Sequence, residues 1–322
     1  MNTALIGFGR IGKIHFMNIV KNKKFKLKYI CEKNLSMFNN ILHYDILKMY
    51  ELTITDDIDK IYNDNTVNAI IVCSPTFTHF QIIKRSLENN INVFVENPLS
   101  LDLSEIKICY DIAEKKSLRL FVGYNRRFDK NIIKLKRTIE DKSLGKINYI
   151  TTTSRDYPYP KLDYLKISGG IFHDCAVHDI DYVNWTLGEL PKTVYVTGSI
   201  TEEKDKNNGH LDHVNIIFEY PDNKIVSLNL SRISQSYDQR FEVYGDKGEF
   251  IISDYYYKRP KLFPERYLES YEEELEYFYK LIKDIKLDNH VTQKDNVNNH
   301  IIADYCQKSF NLKKRLEINY SI

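Results

Sequence analysis

The chain opens with a short apolar strand, Ala4 to Ile6, that runs directly into Gly7-Phe8-Gly9-Arg10-Ile11-Gly12. A G-x-G-x-x-G turn between strand and helix narrows what the first hundred residues can become. Gly7 permits the tight strand-to-helix turn, Gly9 lets backbone approach a pyrophosphate, and Gly12 lets helix and strand pack closely. A helix-like run follows from Ile11 to Val20, then a second apolar strand, Leu27 to Cys31, which ends at Glu32. About twenty residues past the last glycine, a carboxylate can reach the adenosine ribose hydroxyls. A glycine turn alone is common. Strand, helix and delayed acid agree here, and together they predict a nicotinamide dinucleotide. Glu32 would repel a 2′-phosphate, so NAD is expected over NADP, although Lys33 stands beside it.

The length of 322 residues exceeds one ordinary core and implies two domains, 1–122 and 123–322. A formal charge of +2 provides no field for gripping nucleic acid. No apolar run reaches membrane-spanning length, and the chain is expected to carry no signal peptide. Five dispersed cysteines without a C-x-x-C pair fit a reducing cytoplasm.

In the first third, apolar runs at Ala4–Ile6, Leu27–Cys31, Ala69–Cys73, Val93–Val95 and Leu120–Val122 alternate with helix-period segments such as Phe77–Leu87 and Ser104–Glu114. This α/β rhythm predicts a doubly wound parallel sheet. It ends near Gly123. After a helix from Asn131 to Ile139 come alternating strands. His213–Tyr220 places Val214, Ile216, Phe218 and Tyr220 on one face, and Ile225–Leu230 returns after a Pro221-Asp222-Asn223 turn. Thr193–Ser199, Phe241–Tyr244 and Glu249–Ile252 add strands, Glu202 to Gly209 reads as a polar turn, and helices near Pro264–Lys286 and Val297–Leu312 close the chain. The second domain is therefore an α+β unit with an open, mostly antiparallel sheet and helices on one face. The Val214 to Tyr220 row, or its neighbours, would leave an apolar face for self-association.

Chemistry concentrates in Gly169-Gly170-Ile171-Phe172-His173-Asp174-Cys175-Ala176-Val177-His178-Asp179-Ile180-Asp181. Ser168 can cap the following helix. Asp174 and His178, four apart, share one helical face, and His178 can also meet Asp181. A histidine beside a carboxylate suits proton transfer near neutral pH. The plainer reading is a helix start enriched in acids, with a histidine that packs. His173, Asp174 and His178 are also metal-ligand types, but His173 and His178 face different sides of a helix, so no metal is expected.

The glycine turn, Cys73-Ser74-Pro75-Thr76 with His79, Glu96-Asn97-Pro98, Tyr124-Asn125-Arg126-Arg127-Phe128-Asp129 and the Gly-Gly…Asp174…His178 segment resemble the Gfo/Idh/MocA oxidoreductases nearly end to end. Ser154-Arg155-Asp156, Tyr164 to Phe172, Ser231-Arg232, Tyr237 to Gly245 and Phe263 to Phe278 are similar to the inositol 2-dehydrogenase branch. The resemblance implies a Rossmann domain, an open-sheet α/β domain, substrate in the crevice between them, and sheet-to-sheet homodimers or homotetramers. It implies cofactor contacts at Gly7, Gly9, Arg10, Ile11, Gly12, Ser74, Pro75, Thr76, His79 and Glu96, with substrate contacts at Arg127, Lys166, Asp174 and His178. His178 would take the hydroxyl proton with Asp174 orienting it, and turnover would rise as His178 loses its proton. Catalytic position 97, a lysine in the family, is Asn97 here. The stretch from Ile252 to Arg266 is shorter than in that branch, which would trim a hairpin.

Overall fold

The computed structural model describes residues 1–38, 52–201, 209–253, 262–284 and 286–321. All but the last residue of the expected Glu202–Gly209 turn, and most of the shortened Ile252–Arg266 stretch, lie outside the described residues. Among the described residues, helices of ten residues or more are α1 (Arg10–Lys21), α2 (His79–Glu88), α3 (Leu103–Lys115), α4 (Lys130–Glu140), α5 (Val177–Leu187), α6 (Phe263–Lys283) and α7 (Gln293–Leu312). None is long and apolar enough to cross a membrane. The chain forms two compact units, Met1–Tyr124 with Tyr271–Asn296, and Asn125–Ser270 with Val297–Ile322.

The first unit holds a six-stranded sheet of β1 (Asn2–Ile6), β2 (Lys26–Cys31), β3 (Thr53–Thr55), β4 (Ala69–Val72), β5 (Asn92–Glu96) and β6 (Leu120–Gly123), in the order β3-β2-β1-β4-β5-β6. Every pairing is parallel. All four residues of β4 are buried, as expected of a strand covered on both faces. The strand order reverses between β1 and β4, which puts the glycine turn at the carboxyl end of β1, where such sheets bind ligands.

Tyr271–Asn296 packs with this unit, whereas a single cut at 122/123 would assign it to the second domain. The reason is an apolar stripe on α6. Tyr271, Leu275, Phe278 and Leu281 are all buried, and the Phe278 ring lies 5.7 Å from Phe94 on β5 and 6.1 Å from Phe121 on β6.

The second unit is built on a seven-stranded sheet: β7 (Ile147–Arg155), β8 (Thr193–Ser199), β9 (His213–Glu219), β10 (Ile225–Ser231), β11 (Asp238–Gly245), β12 (Glu249–Ser253) and β13 (Leu316–Glu317), ordered β12-β11-β7-β10-β9-β8-β13. Only β7–β10 is parallel; the other pairs are antiparallel. Central strand β7 is missing from the sequence expectation because its buried face carries Thr152 and Ser154, which blur the apolar alternation.

Val214, Ile216, Phe218 and Tyr220 do not form an exposed row. Each is at most 2% exposed, packed in a core with Leu135, Ile180, Val183 and Ile302 from the helices. Tyr149, Tyr195, Ile217, Ile225 and Ile251, which lie on the strands of this sheet, are exposed instead. Period-2 patterning identifies two faces, and the helices decide which is covered.

Candidate active site

At the glycine turn, Gly7 has φ +89°, and a Cβ there would lie 2.6 Å from the Cys73 backbone. A Cβ on Gly12 would meet the Gly7 carbonyl at 2.1 Å, whereas one on Gly9 would meet nothing within 4 Å. Two glycines therefore close the turn and the third leaves backbone open on one side. Gly9 is the N-cap of α1, has no side chain to satisfy the first amides, and is followed by Arg10, Ile11 and Gly12 with no acid in the first turn. This helix end can receive a phosphate. Glu32 sits beside it: one carboxylate oxygen accepts from the Phe8 N–H at 2.7 Å and the other from the Asn34 N–H at 3.0 Å. These residues fit a dinucleotide.

The Ser74-Pro75-Thr76 segment follows β4 and enters a short 3-10 turn, Thr76–Thr78, with the Ser74 and Thr78 hydroxyls 2.7 Å apart. His79 is buried, its Nδ1 2.9 Å from the Pro98 carbonyl and its Nε2 2.7 Å from the Ser74 carbonyl. Burial lowers its pKa despite those carbonyls. It ties two loops together, and its two ring nitrogens are both occupied with backbone.

Glu96 ends β5, with a carboxylate oxygen 2.5 Å from Nε2 of His15, a fully buried residue of α1. The Glu274 carboxyl on α6 is buried with neither oxygen hydrogen-bonded. Burial, then the charge of Glu96, raises its pKa well above the usual range, which favours the neutral acid. Next to Glu96, both carboxamide atoms of Asn97 are buried without a partner. Sequence reading missed His15 and Glu274. Glu274 had left a trace, since it falls on the same helical stripe as Tyr271, Leu275 and Phe278.

In the second unit, Gly169 (φ +81°) and Gly170 (φ +82°) turn the chain into a five-residue π segment, Phe172–Ala176, that runs into α5. Ser168 does not cap it. Its hydroxyl donates to the Leu165 carbonyl at 3.4 Å and closes the preceding turn. The wider π turn alters the angular offset between Asp174 and His178 that a regular α-helix would impose, and no hydrogen bond joins them among the described residues. Instead Asp174 accepts from the Tyr164 hydroxyl at 2.5 Å and from Nη2 of Arg232 at 2.7 Å. Arg232 is 1% exposed, donates from Nε to the Cys175 sulfur at 3.3 Å, and has a buried Nη1 without a hydrogen-bond partner. The expected orienting bond from Asp174 to His178 is thus replaced by an anchored Tyr164–Asp174–Arg232 cluster.

His178 has a buried Nδ1 without a partner. Desolvation, then the nearby Arg126 charge, pushes its pKa down to about 3. The imidazole is neutral at physiological pH, so a titration near neutrality is not expected of it.

Asp181 does not meet His178. It receives Arg127 through two bonds, 2.8 and 2.6 Å, and Asn299 at 2.7 Å, all in the interior. Arg127, expected near substrate, is 2% exposed and spends its guanidinium on this pair. Asp179 is likewise internal, accepting from Ser154, Tyr182 and Gln239 and paired with Arg126 at 3.0 Å. Lys166 is half exposed, 3.7 Å from Asp163. His173 turns away from Asp174 and His178 toward Asp304 of α7, at 2.9 Å.

Residues 1–124 match the family model described as an oxidoreductase family with an NAD-binding Rossmann fold. Residues 132–251 match the GFO/IDH/MocA C-terminal domain. The chain is 33% identical over 303 residues to the myo-inositol 2-dehydrogenase of Thermotoga maritima, covering 88% of each protein. It is 32% identical over 296 residues to the inositol 2-dehydrogenase of Rhizobium meliloti, covering 87% of this chain and 88% of that one. The solved structure of a probable dehydrogenase from Thermotoga maritima superposes with a TM-score of 0.90 at 29% identity, over 98% of both chains. The first unit is an NAD-binding Rossmann domain, and the chain belongs to the GFO/IDH/MocA oxidoreductase family.

Proposed function

We propose that the protein is an NAD-dependent dehydrogenase that oxidises a hydroxyl of a cyclic polyol or sugar of the inositol type. One observation carries the reading: His178 is a neutral imidazole with an unpartnered, buried Nδ1, close in sequence to the anchored carboxylate of Asp174. A protein interior rarely leaves such a nitrogen unsatisfied without a ligand to meet it. The two curated relatives, both named for inositol oxidation, supply the substrate class.

NAD, when bound, supplies the hydride acceptor. Gly9 and the first turn of α1 would hold its pyrophosphate and Glu32 its ribose, and Ser74, Pro75, Thr76 and Glu96 would hold its nicotinamide end. His178 takes the hydroxyl proton as the carbinol carbon becomes a carbonyl, giving ketone, reduced cofactor and a proton in balance. Oδ2 of Asp174 accepts from Arg232 and from the Cys175 thiol, while Oδ1 accepts from Tyr164 and keeps a lone pair available to a neighbouring hydroxyl. Asn97 could offer a ligand a hydrogen bond where the family has a positive charge, but it brings no charge. That difference favours a second reading, a family member that binds NAD and a sugar-like ligand without appreciable turnover.

NADH absorbance across a panel of inositols and sugars, paired with calorimetric binding, separates the two readings. Turnover that falls about a hundredfold or more in His178→Ala supports the dehydrogenase. Binding of NAD and polyol without turnover supports the second reading, and absence of polyol binding overturns both. Five free cysteines and no membrane-crossing helix among the described residues are compatible with a cytoplasmic protein. We assign self-association as a homodimer or homotetramer to the exposed apolar face of the second sheet. Light scattering at micromolar concentration is expected to give a multiple of the monomer mass, and Ile217→Asp with Ile251→Asp to reduce it.

A further inference from the structure

We propose that His173, His300 and Asp304 form a site for one divalent transition-metal ion of the zinc class. The three belong to the second unit and come from two elements, His173 from the π segment and His300 and Asp304 from α7. Nε2 of His173 lies 2.9 Å from one Asp304 oxygen, and Nε2 of His300 lies 3.4 Å from the other. The imidazole centroids are 4.7 Å apart, and the three donor atoms all fall within 4.8 Å of one another.

Those separations match what an ion needs. Ligand atoms arranged tetrahedrally at zinc distances stand about 3.3 Å from each other. The observed 2.9 Å from His173 to one Asp304 oxygen and 3.4 Å from His300 to the other lie on either side of that value, so the carboxylate would meet an ion through both oxygens or through one after a small rotation. His300 and Asp304 are four apart on one helix, a spacing that presents both to the same point in space. The histidine side chains are 13% and 7% exposed, held in place by packing, while Asp304 is 55% exposed and leaves a path for a hydrated ion. Two imidazoles and one carboxylate leave a fourth position for water.

The competing explanation is a carboxylate that accepts one hydrogen bond from each ring. It accounts for the distances equally well, and it supplies no affinity for a metal, so the zinc titration below separates the two. The other candidate cluster, His15 with Cys73 and Glu96, is unsuitable. His15 and Glu96 are already in short contact, and burial raises the Cys73 thiol well above its usual range, against the thiolate a metal requires. An ion at His173 would tie the π segment, one residue before Asp174, to α7.

The test uses tag-free full-length protein stripped with chelator and titrated with zinc chloride by calorimetry, with cobalt(II) as an absorption probe. Expected are one zinc ion per chain at low-micromolar affinity or tighter, and visible cobalt bands without a thiolate charge-transfer band. Asp304→Asn and His173→Gln should each weaken zinc at least tenfold, while circular dichroism without metal stays that of the parent. Should His173→Gln fail to fold, the exposed Asp304→Asn still decides. No stoichiometric zinc, unchanged affinity in a folded Asp304→Asn, or a cobalt–thiolate band would overturn the site.

Discussion

In the first unit, the groups that would meet a cofactor are placed by backbone. Gly7, Gly9 and Gly12 set the turn, and Glu32 is pinned to the Phe8 N–H beside it. In the second unit, Asp174 is placed by side chains from elsewhere, Tyr164 ten residues before it and Arg232 fifty-eight residues after it. A backbone-built site depends on the absence of atoms, so added Cβ atoms damage it. A side-chain-built site depends on buried charge pairs, and it fails when one partner goes. The same contrast appears among the buried acids: Glu274 has no hydrogen-bond partner and is pushed toward its neutral form, whereas Asp181 is held by Arg127 and Asn299.

The largest effect expected from breaking this contrast is in the second unit. Arg127→Met would remove the buried guanidinium that is ion-paired with Asp181, a loss of about 3–5 kcal/mol in urea unfolding. Were Arg127 instead a substrate ligand, KM would rise with stability unchanged. Next comes position 97 of the first unit. A lysine there supplies charge that matters as negative charge builds on the reacting oxygen, so Asn97→Lys is expected to raise kcat toward the best polyol about a hundredfold, with little change in NAD affinity. No gain despite polyol binding would mean that another cation already serves or that the pocket has drifted to another task.

A smaller effect is expected at Glu32. Glu32→Ser should narrow the preference for NAD over NADP by about tenfold, near 1.4 kcal/mol. Equal affinities in the parent protein would detach Glu32 from the ribose.

The smallest concerns Glu274. Its folded pKa is raised, so its contribution is intact below the ordinary glutamate value of 4.5 and is lost as pH climbs toward the raised folded value. Glu274→Gln, which mimics the neutral acid, should gain about 1 kcal/mol or more at pH 7 and flatten the stability profile above pH 4.5. A loss of stability would mean that Glu274 is ionised and partnered.

Legibility followed the same division. Five of the six strands of the first sheet were readable to within two residues, because short runs buried on both faces are continuous in apolar character, whereas the three-residue edge strand β3, Thr53–Thr55, carries no such run and was missed. β7 was not, since Thr152 and Ser154 occupy two of its four buried positions. Asp174 and His178 were identifiable as candidate chemistry from residue type. Their relation was not, because the π segment shifts the angular offset that a four-residue spacing assumes. Arg127 and Arg232 lie in similarly polar sequence, yet one serves Asp181 in the core and the other holds Asp174.

The order of amino acids alone determined the nucleotide turn, the alternation that makes the parallel sheet, and the change to antiparallel strands after Gly123. Each is local: a glycine conformation, a helical period of 3.6, a strand period of 2. Only the tertiary structure decided which sheet face is covered, that Glu274 lies against Glu96, that Arg232 anchors Asp174, and that His173 meets His300 and Asp304. Periodicity assigns a side chain to a face. What stands opposite that face comes from chain 58 to 178 residues away, and contact, burial and charge exist only once packing has brought those segments together.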